Sequence, residues 1–191
     1  VSPTRMMLLQ LLRRLALARR GHKLLKDKLD GLVQRFLTIK KEYLELYLEL
    51  EPRLIQLFNK SIFSFALSSP KVFQNNNKPS LSLAVTRQNI MGVKIPSYQL
   101  TRKGEPAVSP LLATIEFSEL LVEFNQILPD LLKLSARNKS LRLIAEQIIE
   151  TRRRVNALEY VLIPELKRNV SLIRMKLSEL ERASKVILLK R

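Results

Sequence analysis

Apolar residues recur at alternating steps of three and four from Leu8 to Leu50. The series is Leu8, Leu11, Leu15, Ala18, His22, Leu25, Leu29, Leu32, Phe36, Ile39, Tyr43, Leu46 and Leu50, with His22 its one polar member. A stripe of this kind is a heptad seam, with the a positions beginning at Leu8 and the d positions at Leu11. A straight α-helix has 3.6 residues per turn, so a 3.5 repeat keeps facing one partner only if the helix coils left-handed around it. Helices in globular domains rarely run so far, so the pattern asks for a second helix. It predicts a helix from Thr4, as N-cap, to Ala66, spanning ~95 Å at 1.5 Å per residue.

A matching stripe occupies the other end: Leu141, Ile144, Ile148, Thr151, Val155, Leu158, Leu162, Leu166, Val170, Ile173, Leu177, Leu180, Ser184 and Ile187. Its three successive steps of four, from Leu158 to Val170, form a stutter that relaxes the supercoil locally, and Pro164 lies inside it. The two stripes predict an intramolecular antiparallel pair. In that pairing Gly21 and His22 fall at the height of Pro164 to Val170, so both strands break their regularity together. Pro52 and Pro129 are expected to bend or end their helices. Leu120, Leu121, Phe124, Ile127, Leu128, Leu131 and Leu132 form an apolar face ahead of the second stripe.

The middle differs in kind. Ser68-Ser69-Pro70 ends the helical pattern, and Asn75 to Pro79 reads as a loop. Ser80 to Val85 alternates polar and apolar, as a strand does, and Asn89 to Pro96 makes a second short strand. Pro106, Ser109 and Pro110 close the segment, and helix returns at Leu111 or soon after. The expected fold is therefore all-α dominated: a long antiparallel left-handed two-helix coiled coil with a small β-hairpin or loop insert. It forms a single extended unit with an N-terminal helix over 1–67, the insert over 68–110 and a C-terminal helix over 111–191.

Composition narrows the chemistry. Lys and Arg outnumber Asp and Glu 34 to 17 in 191 residues, a net charge of +17. Residues 1–30 carry +6 of this and residues 163–191 carry +5, so pairing the termini makes one end strongly basic. Nucleic acid, an anionic membrane and an acidic protein are the usual partners of such a surface. The absence of Cys excludes disulfides, thiolate nucleophiles and zinc-finger frameworks, and with one His it argues against a transition-metal site. No apolar run approaches the ~18 residues of a membrane span, and no secretory signal is read at the start.

No phosphate-binding glycine loop, dinucleotide fingerprint or HExxH motif is present, and no nucleophile has an adjacent base. No catalytic residue, cofactor or metal ligand is assigned. His22 reads as a register-setting or solvated position in preference to a ligand. Arg152-Arg153-Arg154 reads either as a solvated coiled-coil face or as a guanidinium cluster for carboxylates of a partner. The run from Glu42 to Phe65 holds more apolar residues than a two-stranded seam needs, so several are expected to face a third element.

The stretch TRRRVNALEYVLIPEL, Thr151 to Leu166, resembles the signature of the D subunits of V/A-type (vacuolar/archaeal-type) ATPases, the rotor component of the central stalk. PTRMMLLQL (Pro3 to Leu11), GHKLLKDKLDGL (Gly21 to Leu32) and NIMGVKIP (Asn89 to Pro96) resemble the same family, in the same order and most like its bacterial members. Residues 68–88 and 97–115 carry no recognised pattern.

The resemblance implies an antiparallel coiled coil with a β-hairpin insert. It also implies a non-catalytic shaft that couples ATP hydrolysis or synthesis to ion translocation, as a peripheral part of the complex at the cytoplasmic face. The implied partners are the catalytic A and the B subunits of a hexamer, the F subunit, and a socket protein on the membrane ring. No nucleic acid, membrane span or homo-oligomer is expected. Arg152, Arg153 and Arg154, with Arg5, Arg13, Arg14, Arg19 and Arg20 of the basic end, are the expected hexamer contacts. Gly21, His22 and Pro164 mark the irregularity. Tyr43, Leu46, Tyr47, Leu54, Phe58, Leu121, Phe124 and Leu128 are the expected surface for the F subunit, and Ile90, Met91, Val93 and Ile95 belong to the insert hairpin.

Two alternatives stand beside this. The gamma-like rotor component of F-type ATPases also pairs its terminal helices, but its larger middle domain does not fit the insert. A basic coiled-coil scaffold for nucleic acid or anionic membrane would show binding that falls steeply with salt.

Overall fold

The computed structural model describes residues 4–67, 80–103 and 115–189. In chain order they form helix α1 (Arg5–Leu67), strands β1 (Ser80–Ile90) and β2 (Val93–Lys103), helix α2 (Ile115–Asn156), a π-helical turn (Ala157–Leu162) and helix α3 (Ile163–Leu189). The expectations for Ser68 to Pro79, for Pro106 to Leu111 and for the side chain of Ile187 lie outside the described residues. The chain divides into two compact units, residues 1–33 with 147–191, and residues 34–146.

In the first unit, Thr4 caps α1 as its sequence position predicts: its Oγ1 accepts from the Met7 N–H at 3.2 Å, and its carbonyl accepts from the Leu8 N–H at 3.1 Å. Leu11, Leu15 and Ala18 are buried against Leu166, Val170 and Ile173, with Met7, Leu8, Leu12, Ile163 and Leu177 packed around them. The partners of α1 run backward along the chain, from Glu181 opposite Arg5 to Glu159 opposite His22. The pair is therefore antiparallel.

The stutter takes a form that the stripe alone does not specify. The Ile163 N–H bonds to the Leu158 carbonyl, five residues back, where a regular helix reaches four. Pro164 follows immediately and has no N–H to contribute to the preceding turn. The wider turn absorbs one extra residue, so the seam advances from Leu158 to Ile163 and then resumes through Leu166 and Val170. Leu162, assigned to the seam by the steps of four, is 41 % exposed. At this height His22 meets Glu159, before Pro164 in the chain, and Gly21 borders the same notch as Leu158, Leu162 and Leu166.

In the second unit the seam of α1 continues without interruption through Pro52, and α2 likewise runs through Pro129. Ile39, Leu50 and Ser64 of α1 are buried, as are Phe117, Leu120, Ile127, Ser140 and Ile144 of α2. Cross-pairs again run in opposite senses: Glu42 with Arg137, Lys60 with Glu123, and Phe65 edge-on to Phe117. Buried Ser140 satisfies its hydroxyl by donating to the Ala136 carbonyl at 2.7 Å.

The hairpin pairs Ile90 with Val93 at its tip and Ser80 with Lys103 at its open end. The two-residue turn is Met91-Gly92, with φ of 52° and 90°, the double positive φ of a type I′ hairpin. The Gly92 N–H donates to Asn89 Oδ1 at 3.0 Å. Both strands are eleven residues long, so the short strands expected from the alternation are undersized. Asn89 and Ile90 belong to the first strand and not to the second.

Candidate functional site

The first candidate surface is the paired-helix unit of residues 1–33 and 147–191. Arg13, Arg14, Arg19 and Arg20 are exposed, as are Arg152 and Arg153, and none of the six forms an ion pair among the described residues. Arg5 is exposed and paired with Glu181 at 2.7 Å. Arg154 pairs with Glu150 one turn back on its own helix. The heptad pattern explains this arrangement. Positions 151 and 155 face α1 and are buried, which leaves 152 to 154 on the outer arc. Unpaired guanidiniums on a rigid helix are ready for carboxylate or phosphate oxygens from outside.

Gly21, His22 and the π turn lie together. His22 Nε2 stands 3.3 Å from Glu159 Oε2, and the imidazole is 20 % exposed. A Cβ added at Gly21 would meet nothing within 4 Å. Gly21, Ala18, Leu17 and Arg14 instead border an open notch whose far wall is Leu158, Leu162 and Leu166. Tyr160 and Val161 stand out from the π turn, 71 % and 61 % exposed.

The second candidate surface is the outer side of α1 in residues 34–67. Of the eight residues expected to face the F subunit, five on α1 and three on α2, Tyr47, Phe58 and Phe124 are exposed, and Tyr43, Leu46, Leu54, Leu121 and Leu128 are half-buried. Tyr43 stacks on Tyr47 with ring centroids 6.2 Å apart, and the Tyr47 hydroxyl donates to Glu51 at 3.5 Å.

The larger apolar surface is missed when the run is read as one dense cluster. Leu37, Leu44, Leu48, Ile55, Phe58 and Ile62 are all exposed. With Lys41 and Glu51 in the gaps they keep steps of four and three, so they form a second heptad seam beside the first. The sequence carries its signal: a second 3-4 series, offset by one residue from the first at Phe36.

The hairpin rests on the helices of the same unit. Val93 and Ile95 are buried, Ile90 is half-buried, and Met91 at the turn is exposed. Ile90, Ile95, Pro96 and Tyr98 face Arg35, Ile39, Lys133 and Arg137 across a cavity of about 240 Å³. Its cations are partly balanced: Lys133 pairs with Asp130 at 2.9 Å, and Arg137 Nη2 lies 3.1 Å from Glu42 Oε2. The latter contact lacks the alignment of a hydrogen bond and acts through charge alone. Leu81, Leu83 and Val85 of β1 are exposed.

Among the described residues no group of acids and histidines is placed to hold a metal ion, and no helix is long and apolar enough to cross a membrane. The surfaces that stand out among the described residues are apolar seams and unpaired arginines, and the class is a helix-dominated protein with long N- and C-terminal helices and a two-stranded β-hairpin between them. The family model for the ATP synthase D subunit matches residues 7–191. The V-type ATP synthase D subunit of Clostridium botulinum is 39 % identical over 199 aligned residues, covering all of this chain and 92 % of that protein. Those of Fusobacterium nucleatum and of a Thermoanaerobacter species are also 39 % identical, with 93 % and 94 % of their lengths covered. This chain belongs to the family of ATP synthase D subunits.

Proposed function

We propose that this chain is the central rotor shaft of a V-type ATPase. It carries no catalysis of its own and couples ATP hydrolysis or synthesis in a surrounding hexamer to ion translocation by a membrane ring. The observation that carries the reading is full-length kinship with V-type ATP synthase D subunits, expressed in a chain built as antiparallel helix pairs. A packed seam resists bending and slippage because each level buries several apolar side chains, each worth roughly 1.5–3 kcal/mol when fully buried.

In this reading the exposed arginines, Arg13, Arg14, Arg19, Arg20 and Arg152 to Arg154, meet carboxylates of the A and B subunits in turn. Exposed pairs worth roughly 0.2–1 kcal/mol each hold a dwell without stalling rotation. The F subunit is seated on the second seam of α1, around Leu44, Leu48, Ile55 and Phe58, where an apolar face at heptad spacing suits a partner helix. A socket protein on the ring receives the foot of the shaft, and the complex lies at the cytoplasmic face of the membrane.

The deciding experiment mixes the full chain with A, B and F subunits of the same source. One copy per hexamer should co-purify and change ATP hydrolysis. If the hexamer and the chain elute separately at physiological salt, the rotor reading is wrong.

A further inference from the structure

The notch beside Gly21 is neither core nor ordinary surface. It is open, with a volume of about 410 Å³, and its lining is apolar apart from Arg14. Two independent local features create it. On α1 the missing side chain of Gly21 leaves space in which a Cβ would touch nothing. On the opposite strand the extra residue of the π turn swings Leu162 out of the seam, leaving it 41 % exposed beside Leu158 and Leu166. Leu17 extends the apolar rim and is 72 % exposed. A chain that merely needed to pair its helices would gain by closing this space. Alanine at position 21 would also favour the helix.

The charges around the notch have one prevailing sign. Arg14 lines it, and Arg13 and Arg20 flank that stretch of α1; all three are exposed and form no ion pair among the described residues. Of the nearby acids, Glu159 is engaged by His22, and Glu165 alone remains on α3 close by. An apolar recess in a cationic rim is complementary to a large apolar side chain flanked by carboxylates.

We propose that this notch receives one such side chain, a Leu, Ile, Met or Phe set beside Asp or Glu, from one member of the surrounding hexamer. The inference rests on the rotor reading, since it draws its partner from the hexamer. The apolar contact supplies holding force at one height of the shaft, and the arginines draw the acidic neighbours toward it. The motif residues Gly21 and Leu158 to Leu166 then act together as one receptor, joined across the strands where His22 meets Glu159.

The test uses the full chain and a purified hexamer of A and B subunits from the same source, with binding measured at low and physiological salt. Gly21→Leu fills the notch at a position where the added side chain has space. Leu17→Glu sets a carboxylate at its rim. Met175→Glu, on an exposed residue of the same unit outside the notch, is the control. Circular dichroism melts confirm that each variant is folded.

Both notch variants should weaken binding by about ten- to a hundredfold, the equivalent of one excluded apolar side chain, and the control should not. The loss from Gly21→Leu should persist at both salt concentrations, whereas that from Leu17→Glu should be larger at low salt. Wild-type affinity in folded Gly21→Leu would overturn the notch while leaving the rotor reading intact. Failure of the unmodified chain to bind the hexamer would overturn both.

Discussion

His22 Nε2 lies 3.3 Å from Glu159 Oε2 and ties the one polar position of the α1 stripe to the π turn of the opposite strand. The two residues belong to stretches that the family signature sets far apart in sequence, GHKLLKDK and NALEYVLIP. The contact explains why a histidine is tolerated in a leucine seam: at that height the opposite strand offers a carboxylate.

A double-mutant cycle with His22→Gln and Glu159→Gln should therefore return a coupling of about 0.2–1 kcal/mol, because Glu159 is half-exposed and solvent screens the pair. Urea unfolding of the four proteins measures it. A coupling above that range would mean that the pair, and not the surrounding leucines, holds the two strands at this level.

Gly21→Ala should raise stability by about 1 kcal/mol. The added methyl meets no atom within 4 Å, so the change acts through backbone entropy and helix propensity alone. Denaturant midpoints compared at unchanged slope would show it.

The position of the seam around the π turn can be tested by truncation. Ile163→Ala should cost about 1–3 kcal/mol, because Ile163 packs on the Leu166–Val170 cluster. Leu162→Ala should cost less than about 1 kcal/mol at its exposed site. Equal costs would return Leu162 to the seam.

The two seams of α1 should separate in the same way. Leu32→Ala removes a side chain with 0 % exposure and should cost about 2–5 kcal/mol. Leu48→Ala, at a residue 66 % exposed, should leave the melting curve of the isolated chain nearly unchanged. In the rotor reading the order reverses for binding of the F subunit: its affinity should drop in Leu48→Ala and hold in folded Leu32→Ala.

At the hairpin tip, Met91→Asn should stabilise the turn by a few tenths of a kcal/mol. Asn adopts positive φ more readily than Met, and Asn-Gly is the favoured type I′ pair. Amide exchange across the Ile90–Val93 pair would report the change.

The helical architecture is legible in the sequence because it is written as periodicity. The first stripe is buried or half-buried at every position from Leu8 to Leu50, and Thr4 caps where its side-chain chemistry places it. Local phase is harder to read. Steps of four are compatible with either a relaxed supercoil or a widened turn, and only the hydrogen bond from Ile163 to Leu158 decides between them. The hairpin turn is hidden because Met is a poor marker of positive φ, so Asn89 and Ile90 read as the start of the second strand. The second seam is hidden by abundance, since a dense apolar run can be divided into stripes in more than one way.

A repeating seam has a further property: each level resembles the next, so a ring sliding along or turning around it meets no landmark. Among the described residues one π turn, Ala157–Leu162, removes that degeneracy. It marks one height of the helix pair and one azimuth at that height, as a fiducial line marks a dial. Rewinding it into an ordinary helix with every residue kept would rotate everything beyond it by about 100°. Leu166, Val170 and Ile173 would then turn away from α1. Only the loss of one residue within the turn could erase the mark and leave the later seam in phase, so point substitution alone cannot smooth the dial.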